Sequence, residues 1–155
     1  MASFFSMFCE IPKKNASREE IDYILGNYKV VAIVGVSDKP ERDSYAVAKY
    51  LHEHGYKIIP VNPNIHSLFG IKAYPRLKDV PEEVEVVDIF RRAEAVPEIV
   101  EEAIEKGAKV IWMQKGIVHN AAAEKARNKG LLVVMDRCIM VEHKAWTKGE
   151  NSTNF

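Results

Sequence analysis

A chain of 155 residues holds one domain with a sizeable core and leaves no room for two. Hydrophobic content of 47% and charged content of 28% are those of a globular protein, and no apolar run approaches the roughly 18 residues of a membrane helix, which excludes a helical membrane protein. Lysine and arginine balance aspartate and glutamate at 22 each, so no global field draws nucleic acid or an anionic membrane, and two distant cysteines, Cys9 and Cys138, build no disulfide framework.

The N-terminus carries no secretory signal, and the cytoplasm is the expected compartment. The opening MASFFSMFCEIP is aromatic-rich without a period and reads as an arm over residues 1–14. Phe4, Phe5 and Phe8 would leave apolar area in water, so the arm is expected to pack on the core or to join a homodimer. Ser17 with Glu20 spells a capping box and predicts a helix from Ser17 to Leu25, stopped at Gly26 and Asn27. Val30 to Val34 is a continuous apolar run, as a strand covered on both faces requires, and Gly35 ends it. Ser37, Asp38 and Ser44 then stand beside Lys39 and Arg42, and a helix opens near Asp43 or Ser44. It carries Val47, Tyr50, Leu51 and His54 at helical spacing, with Gly55 just past its end. Backbone N–H groups and a positive helix end therefore face the space above Gly35, which suits an anionic, phosphorylated ligand.

Lys57 to Val61 is a second strand, making a βαβ unit with the first. Between Asn62 and Pro75, Ile71 to Tyr74 suggests a brief edge strand. Val84 to Phe90 is the next strand, followed by a helix from near Pro97 that Gly107 closes. Strands at Lys109–Met113 and Leu131–Met135 flank a helix over Asn120–Asn128. A last short helix spans Cys138–Trp146, and the polar residues 147–155 read as a frayed tail. This alternation predicts an α/β, Rossmann-like, doubly wound and mainly parallel sheet in strand order 3-2-1-4-5-6, with helices on both faces and one domain over 1–155.

Ligands of such sheets bind above the carboxyl ends of the strands where the order reverses. A dinucleotide site needs three glycines in the first turn and, about 20 residues on, a carboxylate for the ribose. Only Gly35 is present, and the second strand ends in Val61, Asn62 and Pro63. That argues against NAD. Lys39, Arg42, Arg91 and Arg92 suit a ligand with more phosphates, and coenzyme A, with its 3′-phosphate and pyrophosphate, meets that demand.

The run GVSDKPERDSYAVAKYLHEHGYKIIPVNP, followed by DIFRR, WMQKG and DRCIMVEH, closely resembles the small stand-alone CoA-binding-domain proteins. These are relatives of the amino-terminal CoA-binding domain of the succinyl-CoA synthetase alpha subunit. The resemblance runs from Lys29 to His143 and implies coenzyme A, or a CoA thioester or disulfide, as the ligand. It implies that Gly35, Val36, Ser37, Lys39, Arg42, Ser44 and Tyr45 hold the phosphates, that Asn62 and Pro63 border the adenosine, and that Phe90 and Arg91 line the other wall. Arg92, Gln114 and Gly116 follow the fourth and fifth strands, where they can meet the ribose phosphate or the pantetheine arm. Two departures matter. SDKPER replaces the glycine-richer loop of the synthetase, and no second domain with a phosphorylated histidine follows. Ligase chemistry by this polypeptide alone is therefore not expected. The expected role is a non-catalytic carrier, sensor or redox buffer of CoA; the alternative is a subunit of a multi-component acyl-CoA ligase, or a CoA-disulfide or acyl-CoA processing enzyme.

Cys138 follows the sixth strand on the ligand edge, about 14 Å from the first at three strand spacings. It is the candidate redox thiol, able to pair with the thiol of CoA, or else a small buried side chain. No catalytic residue is otherwise assigned: His143 reads as a helix-terminal histidine rather than a partner of Cys138, and Glu101, Glu102 and Glu105 read as the solvated face of a helix. Trp112 suits core packing at least as well as base stacking. His52 and His54 point different ways and His66 and His119 stand alone, so no metal site is expected. Of Arg91 and Arg92, one is expected on a phosphate, with a surface pair to Glu94 the competing use.

Overall fold

A computed structural model describes residues 10–153 and places five parallel strands at the centre of the chain. Helix α1 (Arg18–Asn27) leads into β1 (Val30–Val34), α2 (Asp43–Glu53) and β2 (Lys57–Val61). A small hairpin, β3 (Ser67–Leu68) and β4 (Ile71–Lys72), precedes β5 (Val86–Ile89), α3 (Val96–Lys106), β6 (Val110–Met113), α4 (Asn120–Asn128), β7 (Leu132–Val134) and α5 (Ile139–Thr153). The sheet order is β2-β1-β5-β6-β7, so the chain winds outward from β1 in one direction and then, from β5, in the other. Residues of alternating parity face opposite sides. Ala32, Val87 and Ile111 pack under α3 and α4, whereas Val31, Ile33, Val86 and Trp112 pack under α1, α2 and the start of α5. Both faces are covered, which is why the strands read as unbroken apolar runs.

The local signals behave as expected. Ser17 and Glu20 form the capping box of α1, Pro97 sits in the first turn of α3, and Gly107 closes that helix at φ 75°. The expected third strand is present only as one bridge, between Val61 and Tyr74. Lys57 donates its N–H to Lys29 O, just before β1, so by alternation Ile58, Pro60 and Asn62 turn their backbone groups outward. Pro60 has no N–H to offer there. Tyr74 consequently donates to Pro60 O at 3.0 Å and accepts from the Asn62 N–H at 2.9 Å, and nothing earlier can be laddered. Residues 71–72 pair antiparallel with 67–68 instead.

The remaining expectations fare differently. Helix α5 continues past Trp146 to Thr153, because a polar sequence denies burial but not helix. Residues 1–9, and with them the proposed aromatic contact of a homodimer and Cys9, lie outside the described residues. Glu102 is not on a solvated face: it is buried, accepting from Arg76 Nη2 at 2.8 Å and from the Lys78 N–H at 3.0 Å. His143 is buried within α5, 2.7 Å from the Tyr50 hydroxyl of α2, among the rings of Tyr50, His54, Tyr56 and Trp146. Burial, with His54 and Lys29 nearby, pushes its pKa down. Trp112 is fully buried and donates its Nε1–H to Arg137 O at 2.8 Å, so it is a core residue. No described helix is long and apolar enough to cross a membrane, and no described cluster of His, Cys, Asp or Glu could hold a metal ion.

Asp88 is the anomaly of the core. It lies between Ile33 of β1 and Trp112 of β6, fully buried, and neither carboxyl oxygen has a hydrogen-bond partner. Burial drives its pKa well above the ordinary carboxylate value, so the fold favours the neutral acid. The unfolded carboxyl ionises above about pH 4 and the folded one only at higher pH, so folding takes up a proton in that interval and stability falls as pH rises through it. The unfolding free energy of the wild type minus that of Asp88→Asn is therefore predicted to fall from about pH 4 toward neutrality in urea titrations. A pH-independent difference would contradict a buried neutral acid.

Candidate functional site

Strand β1 is stitched on both sides to its end and then turns sharply. Phe90 donates its N–H to Val34 O and Gly35 donates its N–H to Val61 O, both at 2.8 Å. Gly35 takes φ 90°, and a Cβ built on it would lie 2.4 Å from Phe90 O and 2.8 Å from Arg91 Cδ. Only glycine fits. The turn lies between β1 and β5, the strands from which the chain winds in opposite directions, where the sheet opens a crevice.

That crevice is a cleft of about 630 Å³. Of the residues singled out in the sequence, it gathers Gly35, Ser37, Lys39, Arg42, Ser44, Asn62 and Phe90. The loop is shaped from within. Ser37 donates its N–H to the buried Ser44 Oγ at 2.9 Å, Lys39 donates its N–H to Ser37 Oγ at 3.0 Å, and Arg42 donates its N–H to Lys39 O at 3.0 Å. Arg42 is the N-cap of α2 and has no side-chain cap bond, so the first N–H groups of that helix face the cleft. Asp38, Glu41, Asp43, Asn64 and Ile65 also line it. The loop sequence shows Asp38 and Asp43 close to the cations, but no signal in it assigns them, Glu41, Asn64 or Ile65 to the site.

The remaining candidates fall elsewhere. Val36 is buried in the core, and its carbonyl accepts from Asn62 Nδ2 at 2.8 Å. Tyr45 packs edge-on against Phe69 with ring centroids 5.1 Å apart. Pro63 and Arg91 line a separate cavity of about 90 Å³ beside Arg76 and Glu102. Arg92 is exposed at the start of a short 3-10 turn, and neither it nor Arg91 makes an ion pair among the described residues, so the surface pair to Glu94 is not formed. Gly116 takes φ 86° and donates its N–H to Asp136 Oδ1 at 2.7 Å.

Gln114 and Cys138 meet in a second cleft of about 360 Å³, with Ala46, Val47, Ile117 and Met140 as apolar walls. Asp43 and Phe90 belong to both clefts, so the two clefts adjoin at these residues. Cys138 is half-buried and unpaired. Gln114 Oε1 accepts the Ile139 N–H at 3.1 Å and so ties the start of α5 to the end of β6. Glu142 pairs with Arg18 and His143 with Tyr50, so the Cys138–His143 nucleophile pair is not formed.

Comparison with known proteins bears on this site. Residues 29–144 match a family model described as a CoA binding domain. The Bacillus subtilis protein YneT is 43% identical over 130 residues, which is 84% of this chain and 96% of that one. An ADP-forming acetate–CoA ligase of Archaeoglobus fulgidus is 33% identical over 100 residues, which is 59% of this chain but 15% of the ligase. A solved structure from Pyrococcus horikoshii has a TM-score of 0.83 at 45% identity, covering 89% of this chain and 97% of that one.

The turn at Gly35 yields a prediction for stability. Gly35→Ala combines a positive φ with a clash against a backbone carbonyl that cannot rotate away, and should cost about 2–4 kcal/mol of unfolding free energy. Urea denaturation measures it, and a variant as stable as the wild type would show that the turn is not held as described.

Proposed function

The chain belongs to the CoA-binding domain family, and on that premise we propose that it binds coenzyme A, or a CoA thioester or disulfide, across the two neighbouring clefts without turning it over by itself. The observation that carries the reading is the 630 Å³ cleft at the strand reversal, which the N-terminus of α2, Lys39 and Arg42 line together. The phosphates lie over the Gly35–Ser44 loop. The pantetheine arm passes Phe90 into the apolar cleft and carries its sulfur toward Cys138.

A redox role for Cys138 is part of this proposal. In the exchange, the Cys138 thiolate attacks the CoA sulfur of a CoA disulfide and a Cys138–S–S–CoA bond forms. The original disulfide breaks, and its other half leaves as a thiolate that takes up a proton. No further oxidant is needed. A second reading, a subunit of an acyl-CoA ligase, draws on the similarity to acetate–CoA ligases, of which this chain spans about one eighth to one quarter. ATP formed from ADP, phosphate and an acyl-CoA only after a partner subunit is added would favour that reading.

Three carboxylates share the phosphate cleft with two cations, so removing Lys39 and Arg42 together leaves an anionic cleft. Lys39→Ala combined with Arg42→Ala should weaken CoA binding by about a hundredfold or more in calorimetry. Unchanged affinity would place the phosphates elsewhere. Incubation with CoA disulfide should add one CoA to the intact mass, removable by dithiothreitol and absent from Cys138→Ser. An adduct that persists in that variant would assign the exchange to another group.

A further inference from the structure

Asn62, the first residue after β2, lines the phosphate cleft with every polar group of its side chain committed. Its Nδ2 donates to Val36 O and its Oδ1 accepts the Asn64 N–H, each at 2.8 Å. The backbone dictates that orientation, since the Asn64 N–H can only donate and the Val36 carbonyl can only accept. The main-chain N–H of Asn62 is held as well, by Tyr74 O at 2.9 Å. One planar side chain thus ties the phosphate loop to the segment after β2, beside the Gly35 N–H bond to Val61 O. Val36 immediately precedes Ser37, whose N–H is directed at Ser44 Oγ, so the bond at Val36 O orients the residues that shape the loop.

The tip of the second strand is also where a dinucleotide site places the carboxylate that grips the ribose. An aspartate at position 62 would still accept from Asn64, but its second oxygen would face the Val36 carbonyl, two acceptors with no proton between them. We propose that Asn62 is the positioning residue of this cleft: it fixes the phosphate loop through Val36, and the donor required there leaves no place for the carboxylate of a dinucleotide site. The inference rests on the CoA reading above. It names the residue that holds the loop in shape for the phosphates.

The test is calorimetry with CoA and with NAD+ on the wild type, Asn62→Asp and the nearly isosteric Asn62→Leu. It is paired with amide NMR spectra of the loop without ligand, both measurements at about pH 3.5 and about pH 8, either side of the ordinary aspartate value of about 3.9. At the higher pH both variants should bind CoA at least about tenfold more weakly than the wild type. At the lower pH a protonated carboxyl can donate to Val36 O, so Asn62→Asp should return to within about threefold of the wild type while Asn62→Leu does not. Neither should take NAD+. Asn62→Asp that binds CoA like the wild type at the higher pH, shows no recovery on acidification, or gains NAD+ would overturn the proposal. If the wild type takes no CoA, the CoA reading falls and the loop spectra decide the positioning claim. Val36 and Ser37 resonances that move in Asn62→Asp and return on acidification support it, and resonances that stay at wild-type positions refute it.

Discussion

The approach of Gly35 to the Phe90 carbonyl is the constraint on which the rest of the structure depends. Strand β1 keeps its ladder on both sides to its last residue and must then leave the sheet where a Cβ would come within 2.4 Å of a neighbouring backbone oxygen. Because glycine removes that atom, the chain can turn at the strand reversal itself, and the loop that follows lies directly over the end of β1. Ser37, Ser44 and Asn62 then hold the loop from three directions, so its shape is set before any ligand arrives. Preorganisation of this kind lowers the ordering cost of binding.

Where a structural feature follows from local chemistry, it was legible in the sequence. The capping box at Ser17 and Glu20, the apolar runs of the strands and the glycines after the helices needed only adjacent residues to be recognised. What was not legible depended on which way a group faces. Pro60 sits in an apolar run like its neighbours, yet it turns its missing N–H to the outer edge and reduces the third strand to a bridge at Tyr74. Glu102 belongs to a run of acidic residues, and only the approach of Arg76 and Lys78 from a distant segment makes it buried. His143 looks like a helix end until Tyr50 of another helix supplies its hydrogen bond. Asp88 did carry a signal, as the one ionisable residue among the four of β5, which pack wholly inside the sheet.

The site was legible in the same graded way. Apart from the buried Val36, candidates in the loop after Gly35 come together, whereas candidates further along the chain are divided among three cavities. Pro63 and Arg91 went to one side of the β1 end, and Gln114 and Cys138 to the other. The 14 Å estimated between the first and sixth strands is not open distance, because Phe90 and Asp43 belong to both the polar cleft and the apolar one. This shared wall is why a long ligand with a polar head and an extended apolar arm suits the surface better than two separate small molecules. Membership of the CoA-binding domain family accords with that shape, while the span shared with the acetate–CoA ligase of Archaeoglobus fulgidus is a small part of that enzyme's length.

Whether one CoA molecule occupies both clefts is decided by a residue-resolved NMR titration of the wild-type protein with CoA. A single ligand spanning them gives saturable shifts of the Gly35–Ser44 amides together with Phe90, Gln114 and Cys138 at one common stoichiometry. Shifts confined to other surfaces, or loop shifts without any at Gln114 and Cys138, would contradict it.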